Sequence, residues 1–237
     1  MDLRGYSSGT LTVAALRRHL GRLPLKYGLQ RSDDLFRKEY LQSLRFNVNT
    51  IVDVGVRHGT RELYEAFPDC SFVLVDPQRD AEALLRHRPT RYAFVNKGLA
   101  AMPGRLLLKE QDGGKTGFLE RTPLTSSPVL AEYEVDVTTL DQLLGSVPHT
   151  GPVGIKIDTE GYELEILKGL GAYWGATSFV ICEASIRKRF FDSYQMSELI
   201  VYMLDHNFLF FNFLNPTSPQ PRYYDVLFVP RSSHLFD

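Results

Sequence analysis

Cysteine is scarce: Cys70 and Cys182 are the only two in 237 residues, and neither stands at metal-ligand spacing. That excludes a disulfide framework and a thiolate zinc site. Net charge is missing too. The 27 Lys and Arg residues face 28 Asp and Glu, leaving −1, so no overall field draws in nucleic acid or an anionic membrane. No apolar run approaches the roughly 20 residues that cross a bilayer. Met1-Asp2-Leu3-Arg4-Gly5 lacks the apolar core of a signal peptide. There is no internal repeat and no low-complexity linker. The expectation is a cytoplasmic protein without a disulfide or a membrane span, and without a nucleic-acid partner.

The chain is long enough for one large, well-buried α/β domain. Apolar residues at helical spacing predict helices over Leu11–Leu20 and Asp34–Leu44. Strands and helices then alternate: strand Thr50–Gly55, helix Thr60–Phe67, strand Ser71–Asp76, helix Ala81–His87 and strand Tyr92–Val95. This alternation predicts a parallel sheet covered by helices on both faces. Short strands at Arg105–Glu110 and Tyr133–Val137 flank a polar stretch rich in Gly, Thr, Ser and Pro, which reads as a lid. The rhythm resumes with helix Thr139–Leu144, strand Val153–Asp158, helix Tyr162–Leu170, strand Ser178–Glu183 and a helix near Met196–Asp205. Phe208–Phe213 and Tyr223–Val229, joined by a Pro-rich connection, read as an antiparallel hairpin.

Two strand-to-helix junctions carry the chemistry. In Asp53-Val54-Gly55-Val56-Arg57-His58-Gly59, glycines at 55 and 59 admit a close ligand at a helix start, whose free N–H groups suit a carboxylate. The next strand ends in Asp76, 21 residues after Gly55, where a carboxylate can accept both hydroxyls of a ribose. NAD is the rival ligand. The loop lacks Gly-x-Gly-x-x-Gly, however, because Arg57 occupies the second glycine position where a pyrophosphate needs close backbone approach. S-adenosylmethionine has no phosphate and fits better.

The second junction is Gly154-Ile155-Lys156-Ile157-Asp158-Thr159-Glu160-Gly161, followed by an amphipathic helix. Asp158 and Glu183 fall at neighbouring strand ends on the edge that carries Gly55 and Asp76. They are candidates for a hard-cation site, Mg²⁺ or Mn²⁺, with Glu160 as the third acid. A divalent cation would help deprotonate an aliphatic hydroxyl. The plainer alternatives are a helix cap for Asp158 and an ion pair with Arg187 or Arg189 for Glu183. Lys156 points opposite to Ile155 and Ile157 on a buried strand, so it needs a carboxylate partner and either orients the site or supports the fold. His206 reads as a base or as a helix-end histidine facing the dipole. Asp112-Gly113-Gly114-Lys115-Thr116-Gly117-Phe118 reads as a hinged lid or a solvated loop, and lacks the spacing of a phosphate loop.

These segments, with Val135-Asp136-Val137-Thr138-Thr139-Leu140-Asp141 and the last strand Tyr223–Pro230, resemble the FkbM-type methyltransferase family over about Asn49 to Pro230. The resemblance implies a class I, Rossmann-like α/β sheet, mostly parallel with a terminal antiparallel hairpin, over residues 49–237. Residues 1–48 lie outside the resemblance, and the expectation for them is a helical extension that covers the acceptor pocket or makes a homodimer contact. The resemblance implies S-adenosylmethionine as cofactor, held by Asp53, Gly55, Val56, His58, Gly59, Thr60, Asp76, Gln78, Asn96, Lys97 and Gly98. His58 stands where relatives have Asn, and its role is open: a donor to the methionine tail, a substrate contact or a surface residue. Asp158, Glu160, Lys156 and His206 are the catalytic candidates. The implied reaction is O-methylation of a sugar, glycolipid or natural product. Two rivals stand beside it: a binding protein without catalysis, and a methyltransferase of RNA or protein. An amide-binding Asn-Pro-Pro-Tyr is absent, and Asp158-Thr159-Glu160-Gly161 occupies its position.

Overall fold

A computed structural model describes residues 34–216 and 218–237. The helix expected at Leu11–Leu20 and most of the 1–48 extension lie outside the described residues. Eleven strands form among them: β1 (Thr50–Val54), β2 (Ser71–Val75), β3 (Tyr92–Val95), β4 (Gly98–Leu99), β5 (Gly104–Gln111), β6 (Lys115–Gly117), β7 (Val129–Thr138), β8 (Val153–Ile157), β9 (Thr177–Ser185), β10 (Phe208–Phe213) and β11 (Tyr223–Pro230).

Seven of them build one sheet in the order β10-β11-β9-β8-β1-β2-β3. β3, β2, β1, β8 and β9 run parallel, while β11 is antiparallel to both β9 and β10. This is the class I methyltransferase sheet that the resemblance implied. All five residues of β1 and all five of β8 are buried, which is why both strands read as near-continuous apolar runs. One sheet face packs on helices Leu140–Ser146, Glu163–Lys168 and Met196–Asp205 through Leu140, Leu144, Ile166, Leu167, Leu199 and Met203. The other packs on helices Lys38–Ser43 and Arg61–Ala66 through Leu41, Leu63 and Tyr64. Asp53 and Lys156 lie on this second face, since Val52, Val54, Ile155 and Ile157 fill the first. Residues 34–48 join the same packing: Leu41 is fully buried, and the Leu35 and Phe36 N–H groups donate to the Leu214 carbonyl.

Two expectations change in detail. The helix expected over Ala81–His87 spans only Ala81–Leu84, because the Arg86 and His87 N–H groups turn to the His58 carbonyl instead. The polar middle stretch is a second sheet, ordered β4-β7-β5-β6, whose long β5–β7 pairing carries the small strand β6. The alternation of β7 is half-exposed, and on its outer face Arg105 pairs with Glu134 and Asp136.

Candidate active site

The parallel strands end at one edge, where open α/β sheets gather ligands. A cleft of about 320 Å³ lies there, at the small end of the usual range for ligand sites. Its floor is the turn after β1 together with Asp76 and Pro77. One wall holds Asp158, Glu160, Glu183 and Arg189. The roof comes from the second sheet, through Leu108 and Gly114 to Phe118. The Gly- and Thr-containing stretch expected to be a lid therefore does cover the site.

At the floor, the backbone of Gly55 has φ +78° and that of Gly59 φ +92°. A Cβ on Gly55 would overlap the Asp158 carbonyl, and one on Gly59 would overlap that of His87. Both glycines thus make room for neighbouring backbone, a different reason from the ligand approach that the spacing suggested. The turn they permit aims the Arg57 N–H at Asp76 Oδ2 (3.0 Å), and the Gln78 N–H meets Oδ1 (2.9 Å). Burial raises the Asp76 pKa, while these two N–H bonds pull against the rise. Each oxygen keeps a further lone pair toward the cleft. Asn96 supports this loop by donating to the carbonyls of Asp76 (2.8 Å) and Gln78 (2.7 Å), and Lys97 and Gly98 line the cleft beside it.

Other expected cofactor contacts point elsewhere. Val56 belongs to the core, and Thr60 precedes helix Arg61–Ala66 without a side-chain cap bond. His58 Nδ1 lies 3.2 Å from the Leu84 carbonyl, outside the cleft lining. Asp53 is fully buried; Tyr64 Oη donates to its Oδ2 (2.7 Å), and Lys156 Nζ lies 3.4 Å from its Oδ1. Asp53 is thereby linked through Lys156 to Asp158 at the cleft.

Lys156 Nζ is also 3.4 Å from Asp158 Oδ2. Burial works against its charge, but Asp53, Asp158 and Asp225 more than offset that and hold its pKa above the ordinary lysine value. The carboxylate partner that a buried lysine requires is thus present twice. The following turn is organised by Glu163, fully buried, whose Oε1 accepts N–H bonds from Thr159 (2.9 Å) and Gly161 (3.1 Å) and whose Oε2 accepts from Tyr194 Oη (2.8 Å). Glu160 sits in the left-handed region at φ +57°. Its Oε2 accepts from Arg189 (2.6 Å) and pairs with Arg121 (3.1 Å); the other arm of Arg189 reaches Glu183 Oε2 (2.7 Å). Both guanidiniums also flank the Phe190 ring, at 4.9 and 5.0 Å from its centre. Burial pushes the Glu183 carboxyl well up, with Asp158 adding to the rise and Arg189 opposing it. Directly across from Glu183, Asp225 is pushed up to about 7, by burial first and then by Asp158.

This geometry corrects two assignments. Glu183 and Glu160 share one guanidinium at the place a cation would need, so the expected Asp158–Glu183 metal pair does not fit Mg²⁺ or Mn²⁺. Among the described residues no three His, Cys, Asp or Glu side chains are grouped to hold a metal. His206 caps the end of helix Met196–Asp205, its Nδ1 2.8 Å from the Tyr202 carbonyl and its ring stacked 4.3 Å from Trp174. It precedes β10 and therefore stands at the opposite edge of the sheet from the cleft. It is a helix-end histidine and no candidate base.

The methyltransferase FkbM domain model matches residues 53–210, well over half of the chain. This chain belongs to the FkbM methyltransferase family. No curated protein matches it. Among solved structures it is similar to magnesium protoporphyrin IX methyltransferase from Synechocystis PCC 6803 with bound SAM, at 10% identity and a TM-score of 0.44, covering 95% of this chain and 87% of that one. It is also similar to precorrin-6y C5,15-methyltransferase from Geobacter metallireducens GS-15, at 10% identity and a TM-score of 0.42, covering 81% and 87%.

As an FkbM-family protein it is an S-adenosylmethionine-dependent methyltransferase. Asp76 offers oriented lone pairs suited to ribose hydroxyls. Leu99, Leu108 and Phe118 give the cleft an apolar lining. What residue-by-residue reading missed is the support around the family motif. Glu163 has a signal, an acid two residues after the turn glycine Gly161. Arg121 has none, because it reaches Glu160 from a segment 39 positions away in sequence.

Proposed function

We propose that this FkbM-family methyltransferase places the methyl group on a hydroxyl oxygen of a saccharide or natural product. The observation that carries this reading is the state of Asp158. Glu160 and Glu183 are committed to arginines, whereas Asp158 lines the cleft with 38% of its side chain exposed and has Lys156 as its ion-pair partner among the described residues. It is the acid in position to accept a hydrogen bond from an incoming hydroxyl.

Bound S-adenosylmethionine supplies an electrophilic methyl group with a good leaving group. The protein's part is alignment and removal of a proton. In this reading Asp158 takes the hydroxyl proton, which would free the acceptor oxygen's electron pair to bond the methyl carbon as its bond to sulfur breaks. Lys156 keeps that carboxylate in place and Asp53 holds Lys156 from behind, with Tyr64 fixing Asp53 in turn. The ring faces of Phe118 and Tyr223 give a sugar or polyketide surface an apolar contact.

Calorimetry with S-adenosylmethionine, followed by transfer of labelled methyl to a panel of sugars, tests this. Asp76→Ala is expected to weaken cofactor affinity by about 10–100-fold, since each charge-assisted hydrogen bond is worth roughly 1.5–3 kcal/mol. Asp158→Asn is expected to cut turnover at least about a hundredfold while cofactor affinity holds. Normal turnover in Asp158→Asn would remove the hydroxyl-activation reading. Absence of any cofactor heat would remove the methyltransferase reading itself.

A further inference from the structure

The cleft is lined by four cations, Arg57, Lys97, Lys115 and Arg189, and four carboxylates, Asp76, Asp158, Glu160 and Glu183, so its charges balance in number but not in pairing. Each cleft carboxylate already has a partner: Asp76 its two backbone N–H groups, Asp158 the Lys156 ammonium, Glu160 and Glu183 the Arg189 guanidinium. Arg57, Lys97 and Lys115 line the same cleft, and among the described residues none of the three forms an ion pair.

They come from three separate segments, the turn after β1, the β3–β4 turn and the start of β6, so no local charge run explains their convergence. Tertiary contacts join those segments. The Arg57 guanidinium donates to the Gly113 carbonyl, which sets it beside Gly114 and Lys115. Lys97 precedes Gly98, whose backbone packs under the Phe118 ring just past β6. The cations therefore sit along the seam where the roof meets the main sheet.

The cofactor cannot balance them. S-adenosylmethionine has one carboxylate beside its own ammonium and sulfonium, so it can meet at most one of the three unpaired cations. We infer that the acceptor carries an anionic oxygen group, a phosphate or a carboxylate, which docks among Arg57, Lys97 and Lys115. A guanidinium grips such a group in a fork and the two ammonium groups act as point charges around it. The same unpaired cations attract an anionic group most strongly at low salt. This inference rests on the methyltransferase reading and names its acceptor class.

The test is calorimetry on protein saturated with S-adenosylhomocysteine, titrated with glucose, glucose 1-phosphate and glucuronate. At least one anionic sugar is expected to bind at least about tenfold tighter than glucose, by a margin that shrinks as salt is raised. Tighter glucose 1-phosphate assigns the anion as phosphate; tighter glucuronate assigns it as carboxylate. Lys115→Ala should lose about tenfold for the anionic sugar, and Lys115→Glu should erase the preference. S-adenosylhomocysteine affinity, measured on each variant, reports that the fold is intact. No difference among the three sugars, including no heat from any of them, overturns the inference while S-adenosylhomocysteine binding leaves the methyltransferase reading standing. So does a preference that survives Lys115→Glu. Failure of S-adenosylhomocysteine to bind overturns both.

Discussion

Glu160 looks like a catalytic acid by its place in the motif, yet its carboxylate fastens the roof to the wall of the cleft. Removing it tests that distinction. In Glu160→Ala, Arg189 keeps Glu183, but Arg121, whose side chain is only 5% exposed, loses its carboxylate and retains Gln111 alone. Breaking a buried ion pair by deleting one partner costs about 3–5 kcal/mol. The Glu160 side chain is 20% exposed, and one of its two cations stays paired, so about 3 kcal/mol is expected here. Glu160→Gln keeps an acceptor and should cost about 2 kcal/mol. Glu160→Gly should be milder than Glu160→Ala by about 1 kcal/mol, because φ +57° strains any residue with a Cβ. Urea denaturation reads these losses as midpoint shifts of about 1 M for the alanine variant. A double-mutant cycle with Arg121→Met should give a coupling of about 1–2 kcal/mol. Additive effects, or a Glu160→Gln midpoint equal to wild type with turnover abolished, would refute the fastening role and return Glu160 to the chemistry.

Three further outcomes follow from the same geometry. Asp225 has a folded-state pKa of about 7, raised from 3.8, so its stabilising contribution is present below about pH 4 and lost as pH climbs to about 7. Asp225→Asn should therefore flatten the stability profile between those pH values and exceed wild type at pH 8 by about 2 kcal/mol, roughly half the full linkage value because the carboxyl keeps some water contact. Parallel profiles for the two proteins would argue against it. Gly55→Ala should destabilise by about 2–4 kcal/mol and weaken cofactor binding, since the added methyl strikes the Asp158 carbonyl at a positive φ; thermal melting and calorimetry check both. His206→Ala should lower stability by about 1 kcal/mol through the lost Trp174 stack and leave kcat and KM unchanged, and a large fall in kcat would contradict its place at the far edge of the sheet.

The alternation of apolar strands and amphipathic helices was readable without coordinates, because buried parallel strands need near-continuous apolar runs and covering helices need one apolar face. β8 shows this: Ile155 and Ile157 flank Lys156, and the need of a buried ammonium for a carboxylate was legible before Asp53 was seen to supply it. Asp76 at the end of β2 was legible for the same local reason, a strand period that delivers an acid to the ligand edge. Residues whose meaning depends on distant partners were not. His206 is identical as a sequence feature whether it faces the cleft or Trp174, and only the course of β10 parallel to β9 sends it to the wrong edge. Glu183 read either as a cation ligand or as a partner of Arg187 or Arg189, and the structure gives it Arg189; Glu160 read as an unpaired acid, and Arg121 and Arg189 reach it from other segments. Gly55 and Gly59 announced a tight turn, but the backbone they make room for belongs to Asp158 and His87. Periodicity and turn chemistry are local, so the chain alone determined its elements and the edge that carries the chemistry. Ion pairing is a through-space property, and the tertiary structure decided which of the acids at that edge are tied to arginines.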